Sequence, residues 1–334
     1  MSSTAPLLEV RQLSVSYPSA HGQVEVVRGI DLEVRAGETL GLVGESGSGK
    51  SQLLLALLQL NAANARLRGS VCFDGRELIG ADAAALRRIR GAQIGMVFQD
   101  PMAALNPYLT IGQQITEVRR VHRAEDRRST ERHAIAMLEA VHMADAARQL
   151  RRYPHELSGG MRQRAMIAMA LSAEPRLLLA DEPTTALDVT VQAQILGLLR
   201  ELRERTGIAL LLVTHDMGVI AEMADRVAVM YAGTIVEQAG CEQLFARPRH
   251  PYSEALQYCV PRVDQPPPRR LATIAGAPPN PSCLPSGCAF EPRCRYRSSI
   301  CRQTEPALIE TSPGHWKACH YPHALGQLTE RAPA

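Results

Sequence analysis

The sequence predicts an α/β fold: a parallel sheet covered by helices on both faces, antiparallel strands at its start, and a small cysteine-rich region at its end. Three features predict it. Residues 7–35 alternate apolar and polar side chains ("LLEVRQLSVSY", "VEVVRGIDLEV"), the period-2 pattern of half-buried antiparallel strands. The segment "GETLGLVGESGSGKSQLLLALLQL" runs from a strand through a glycine loop into a helix. Between residues 156 and 240 the apolar runs "RLLLAD", "ALLLVTH" and "RVAVMYAG" alternate with helical stretches, as strands buried on both faces do.

Two further segments complete the organisation. From about 100 to 175 the pattern is helical and charged ("RRVHRAEDRRSTERHAIAMLEAVHMADAARQL"), which predicts a helical subdomain inserted in the first region, residues 1–240. After 240 the chain becomes proline-rich ("RPRHPY", "VPRVDQPPPRR", "GAPPNP"), so residues 241–334 are set apart as a C-terminal region.

Composition narrows the function classes. The 334 residues carry 37 Lys and Arg against 34 Asp and Glu, a net charge of +3, and only 4 % aromatics. Neither a basic surface nor base-stacking platforms are indicated, so no nucleic-acid partner is expected. The N-terminus "MSSTAPLLEVRQLSVSY" lacks a basic segment followed by an apolar run, and no apolar run approaches the roughly 18 residues of a membrane span. A cytosolic location is expected, with any membrane contact made through a partner.

"GESGSGKS", residues 44–51, fits G-x-x-x-x-G-K-[ST] between a strand and a helix, the context in which such a loop cradles phosphates. Gly44, Gly47 and Gly49 let the backbone amides turn inward, Lys50 is expected to reach the β- and γ-phosphates, and the Ser51 hydroxyl to ligate Mg²⁺. Glu45, Ser46, Ser48 and Gln52 complete the loop and its exit into the helix. In "LLLADEPTTALD", Asp181 ends a buried strand at its carboxyl end, where ligands bind in such sheets. It is expected to hold Mg²⁺, and Glu182 to polarise the attacking water.

These residues resemble one family, the ATP-binding subunits of ABC transporters. "LSGGMRQR", residues 157–164, is similar to that family's signature motif. Gln99 in "MVFQDP" resembles its Q-loop and a ligand of Mg²⁺, Asp188 in "TTALD" its D-loop, and His215 in "LLVTHD" its switch histidine. Tyr17 sits where the family places an aromatic ring against adenine. The resemblance implies a P-loop ABC ATPase fold, with a RecA-like core, an antiparallel β subdomain and a helical subdomain. It also implies a head-to-tail pairing in which Ser158, Gly159 and Gly160 of one subunit cap the ATP of the other, with helix N-terminus and small residues suited to the γ-phosphate. The complete set Lys50, Ser51, Gln99, Ser158, Asp181, Glu182 and His215 implies an active ATPase.

"FQDPMAALNPYLTIGQQI", "ADEPTTALDVTVQAQIL", "HPYSEAL" and "PSGCAFEPRC" narrow the resemblance to the dipeptide and oligopeptide importers, as the D-type subunit. Nickel importers of the same branch are close relatives; a soluble ABC ATPase of repair or translation is the other class, disfavoured by a single P-loop and no sustained heptads. The implied partners are a second, similar ATPase, two membrane permeases that meet the helical subdomain, and an extracytoplasmic peptide-binding protein. The implied place is the cytoplasmic face of the cell membrane.

Four thiols remain, Cys288-x5-Cys294-x6-Cys301-x17-Cys319. In a reducing compartment they suit structural zinc or an iron–sulfur cluster rather than disulfides. The peptide-importer resemblance implies a [4Fe-4S] cluster, with zinc as the alternative. Cys283 is expected to be an ordinary thiol, Cys72 a small core residue, and His315 and His320 to flank Cys319 as competing ligands or as solvated side chains.

Overall fold

The computed structural model describes residues 5–20, 22–123, 125–185, 187–260 and 273–322. Most of the "VPRVDQPPPRR" segment and the ends of the two regions, 1–4 and 323–334, therefore lie outside the described residues. The chain opens with β1 (Leu8–Ser19), β2 (Gly22–Val34) and β3 (Thr39–Val43), then the phosphate loop and α1 (Lys50–Leu57). β4 (Arg66–Phe73), β5 (Arg76–Glu77) and α2 (Ala83–Ile89) precede β6 (Ile94–Val97). The helical insert holds α3 (Pro101–Ala104), α4 (Ile111–Arg123), α5 (Arg127–Ala140) and α6 (Ala146–Gln149), and α7 (Gly159–Leu171) returns to the sheet. β7 (Leu177–Asp181), α8 (Val189–Thr206), β8 (Ala209–Thr214), α9 (Met217–Met223), β9 (Arg226–Tyr231) and β10 (Thr234–Gly240) follow. The last region contributes α10 (Cys241–Ala246), α11 (Pro251–Tyr258), α12 (Ser299–Gln303), β11 (Ile309–Ser312) and β12 (His315–Lys317).

The main sheet has the order β11-β12-β10-β9-β3-β8-β7-β6, parallel from β9 to β6. Its central strands are apolar throughout because each face has its own core. Along β8, Leu211 and Val213 enter the core shared with α1 and the antiparallel sheet, while Leu210 and Leu212 enter the core shared with α7 and α8. Stacking helices on both sides removes the usual alternation.

β1, β2, β4 and β5 form a separate antiparallel sheet of order β2-β1-β4-β5. Leu8, Val10, Leu13 and Val15 of β1 point to one core, and a bulge between Val10 and Leu13 absorbs the two exposed residues Arg11 and Gln12. Such an extra residue keeps the apolar set on one face across the break. The pairing of β4 with β1, from Phe73 opposite Leu8 to Arg66 opposite Ser16, is a long-range contact that the local pattern of residues 66–73 does not announce.

The region after residue 240 continues the main sheet rather than lying apart from it. β12 pairs with β10, placing Lys317 opposite Glu237. Glu237 is fully buried and accepts hydrogen bonds from the backbone N–H groups of Arg249 (2.6 Å) and His250 (2.9 Å), with His315 Nε2 2.7 Å away. A buried carboxylate is retained only when its lone pairs are satisfied, and here three partners from two segments satisfy them. Tyr231, Tyr252 and Phe290 pack nearby with ring centroids 4.6–5.4 Å apart.

Candidate nucleotide site

The site is built where β3, β7 and β8 end. β3 runs into the phosphate loop, whose Gly47 (φ 81°) and Gly49 (φ 106°) take left-handed backbone conformations. At Gly49 a Cβ would lie 2.4 Å from the Val26 carbonyl oxygen, so shape and crowding both require glycine there. α1 then begins at Lys50, its first amides facing the loop. Lys50 is buried, and its Nζ donates to the carbonyls of Gly44 (2.6 Å) and Glu45 (2.9 Å). Burial lowers its pKa, against the opposing pull of Glu182, Asp181 and Glu45.

Asp181, at the end of β7, is buried, and burial raises its pKa although the Ser51 hydroxyl hydrogen-bonds to it. Its Oδ1 has no hydrogen-bond partner. An orphaned buried carboxylate oxygen beside a serine hydroxyl fits a divalent cation such as Mg²⁺, which supplies what the protein leaves unsatisfied.

Glu182 follows with positive φ (46°), held there by its N–H donating to the Val213 carbonyl at 2.8 Å. A non-glycine residue in this conformation is strained, which concentrates at functional sites. Its carboxylate is 13 % exposed and accepts from Thr185 Oγ1 (2.7 Å); His215 Nδ1 lies 3.1 Å away and Gln99 Nε2 3.4 Å away. Burial pushes its pKa up, but the Thr185 and His215 hydrogen bonds and the His215 and Lys50 charges outweigh it and hold the carboxyl below its ordinary range. Thr185 escaped the sequence reading; its position three residues after Glu182 in "EPTT", on the turn leaving a strand end, is the signal that could have found it.

A cavity of about 840 Å³, a size suited to a nucleotide, joins these groups. Glu45, Ser46, Gly47, Gly49, Lys50, Ser51, Gln52, Gln99, Glu182 and His215 line it, together with Val26 and, from the C-terminal region, Leu256, Cys259 and Ile274. Other expected site residues lie outside this lining. Tyr17 donates its hydroxyl to Gln52 Oε1 at 2.5 Å. Ser158 caps α7, accepting from the Met161 N–H at 3.4 Å, and Asp188 caps α8, accepting from the Val191 N–H at 3.0 Å. Gly160 packs on Val191, so the signature segment and the start of α8 form one surface apart from the chain's own phosphate loop. Gly159 begins α7 beside it.

The metal-binding reading of Cys288, Cys294, Cys301 and Cys319 is corrected. The four thiols face one small cavity with Phe290, Tyr296 and Tyr321, but its volume is about 10 Å³, the threshold for a single water and far short of a cluster. Among the described residues no group of three or more Cys, His, Asp or Glu side chains is disposed to hold a metal ion, neither an iron–sulfur cluster nor zinc. Burial pushes the Cys288 thiol up to about 11 and that of Cys294 to about 12, as expected of protonated thiols packed among aromatic rings. His315 is buried on Glu237, and His320 Nε2 lies 2.9 Å from the Thr304 carbonyl, so neither is a ligand. Cys283 is exposed, and Cys72 is half-buried in β4 rather than a core residue.

Comparison with known proteins identifies the family. Residues 27–185 match the family "ABC transporter", and residues 236–301 match "Oligopeptide/dipeptide transporter, C-terminal region". The chain is 49 % identical to the "Oligopeptide transport ATP-binding protein OppD" of Haemophilus influenzae, covering 94 % of this chain and 97 % of that protein. It is 49 % identical to the protein of the same name from Salmonella typhimurium, covering 95 % of this chain and 94 % of the other. Among solved structures it resembles the ATP-binding cassette MJ0796, in a dimeric post-hydrolysis state bound to ADP and Pi. That match has a TM-score of 0.64 and 28 % identity over 70 % of this chain and 98 % of that one. Among the described residues no helix is long and apolar enough to cross a membrane. The chain therefore belongs to the oligopeptide transport ATP-binding proteins, the ATP-hydrolysing subunits of ABC transporters.

Proposed function

We propose that this chain hydrolyses ATP in a site completed by a second ATPase subunit, and that the cycle drives oligopeptide uptake through membrane permeases. The observation that carries the reading is the carboxylate of Glu182, held ionised between Thr185, His215 and Gln99 over the phosphate loop. The phosphate loop amides and Lys50 receive the β- and γ-phosphates, Lys50 exchanging its carbonyl partners for phosphate oxygens. Ser51, Asp181 and Gln99 are the residues that would hold Mg²⁺, which supplies neutralisation of the charge developing on the phosphates. Glu182 orients the attacking water and takes its proton; His215 steadies Glu182 and the γ-phosphate. Tyr17 serves the adenine end.

The signature residues Ser158, Gly159 and Gly160 lie outside the chain's own cavity, which supports their use on a partner's nucleotide, with Asp188 at the same face. The dimeric state named for MJ0796 supports the pairing. The reading extends to a second homologous ATPase, two permeases meeting the insert of α3–α6, an extracytoplasmic peptide-binding protein, and a place on the cytoplasmic face of the membrane. Residues 241–334 belong to this assignment as the peptide-importer type of C-terminal region, which the match over 236–301 supports.

Glu182→Gln tests the core of it. ATP binding is expected to persist, while turnover falls by at least about a hundredfold, as for loss of a positioned general base. Turnover near that of the parent would refute the role of Glu182. Detergent extraction of the intact complex should recover the chain with two membrane-spanning subunits; recovery of the chain alone, with no permease, would refute the transport assignment.

A further inference from the structure

We propose that Arg293, in the C-terminal region, is a positioning residue for ATP: it neutralises and holds Glu45, the first variable residue of the phosphate loop. This rests on the nucleotide-site reading above and adds a control of that site by a segment more than two hundred residues away.

An acidic side chain in a loop that receives a triphosphate is an electrostatic liability. The structure answers it with one guanidinium. Arg293 Nη1 and Nη2 meet Glu45 Oε2 and Oε1 at 2.6 and 2.9 Å, a two-pronged pair in which the Arg293 side chain is only 4 % exposed. The rest of the guanidinium is also engaged. Nε donates to the Ala275 carbonyl at 3.0 Å, Nη2 reaches the Ile274 carbonyl at 3.4 Å, and Nη1 reaches the Tyr231 hydroxyl at 3.3 Å. The rings of Tyr231 and Phe290 each lie 5.9 Å from its central carbon.

The backbone of Glu45 is fixed from the same side. Its N–H donates to the hydroxyl of Tyr252, a fully buried residue of α11, at 2.8 Å. Its carbonyl accepts from Lys50 Nζ at 2.9 Å and from the Ser48 N–H at 3.2 Å. Side chain and N–H of one loop residue are thus tied to the C-terminal region, while its carbonyl touches the lysine that must meet the phosphates. Leu256 and Ile274, neighbours of these ties, line the nucleotide cavity itself. Arg293 is not among the residues lining that cavity; it acts through Glu45.

Two effects follow from losing Arg293. The loop residue is released, and a bare carboxylate is left beside the phosphates. The second effect has a signature that loosened packing lacks, because removing the carboxylate as well should undo it. Equilibrium titration of the full-length chain with a fluorescent ATP derivative and Mg²⁺ tests this for Arg293→Met, Glu45→Gln, the double variant and Lys50→Ala. Arg293→Met is expected to raise the Kd about tenfold, as for one uncompensated charge in a partly solvated setting. The excess should shrink as salt is raised. Glu45→Gln serves as the reference for the double variant, which should bind more tightly than Arg293→Met alone and recover most of the affinity lost by that change. Should Arg293→Met not fold, Arg293→Gln, which keeps a donor in the same slot, is read the same way against its own double with Glu45→Gln. Unchanged affinity for both Arg293 variants overturns the proposal. So does a double variant no tighter than the Arg293 single, since Arg293 would then be only structural. Lys50→Ala separates the two levels: if it too binds normally, the nucleotide-site reading fails, whereas its loss of binding beside normal Arg293 variants refutes the clamp alone.

Discussion

Replacing Thr185 with Val isolates the electrostatics of the Glu182 carboxylate, the proposed base. The two side chains are nearly the same size, so the change removes the 2.7 Å hydrogen bond from Thr185 Oγ1 to Glu182 Oε2 and little else. A hydrogen bond to an ionised group contributes about 1.5–3 kcal/mol. Glu182 keeps His215 and the Lys50 charge, so the low end applies, and about 1.4 kcal/mol corresponds to one pKa unit. The pKa of Glu182 lies below its ordinary range, so the carboxylate stays an ionised base until pH falls through that lowered value. Losing Thr185 raises the value, and protonation then sets in at higher pH. The acidic limb of the pH–kcat profile for ATP hydrolysis should move up by about one unit. The plateau near neutral pH should fall less than about tenfold, because Glu182 remains ionised there and loses only some orientation. The affinity for ATP, measured by titration, should stay at the parental value. An unmoved acidic limb would refute the account of how Glu182 is kept ionised. A collapse of ATP affinity together with rate would instead make Thr185 a support of the loop as a whole.

Three further outcomes are expected. Gly49→Ala forces a Cβ to 2.4 Å from the Val26 carbonyl at a φ of 106°, so it should lose at least about 2 kcal/mol of stability and most ATP binding; a normal melting temperature and affinity would contradict the geometry of the loop. Asp181→Asn removes the charge but not the shape at the orphaned Oδ1, so the Mg²⁺ concentration for half-maximal turnover should rise at least about tenfold while metal-free ATP still binds; an unchanged Mg²⁺ dependence would count against Asp181 as a ligand. Glu237→Gln places an amide where the carboxylate meets two backbone N–H groups and His315, and should lower stability by about 2–3 kcal/mol in urea unfolding with ATP affinity retained; loss of affinity without loss of stability would contradict a purely structural role.

Much of this protein was written locally. The phosphate loop and the acid pair at the end of β7 are each coded by a short string whose residues must sit together to do their chemistry, so spacing pointed to Lys50, Ser51, Asp181 and Glu182, while His215 was singled out by its resemblance to a family motif. The apolar runs of β7 and β8 likewise announced strands covered on both faces. Other features depend on which segments meet. That Ser158 and Tyr17 lie outside the lining of the cavity that holds Lys50, and that β4 joins β1, follow from packing between distant parts of the chain. The cysteines show the limit most clearly: four thiols at suggestive intervals read as ligands, yet they face a cavity of only about 10 Å³ beside aromatic rings, and among the described residues they form no metal-holding group. Arg293 is the reverse case, an arginine in "EPRC" with nothing in that string to announce Glu45, which it meets only because the folded chain brings the last region against the phosphate loop. The sequence determined which reactive groups are present, because each lies in a short motif of its own; the tertiary structure decided which of them meet and which distant charge answers which, because charges and thiols take their character from surroundings that only folding assembles.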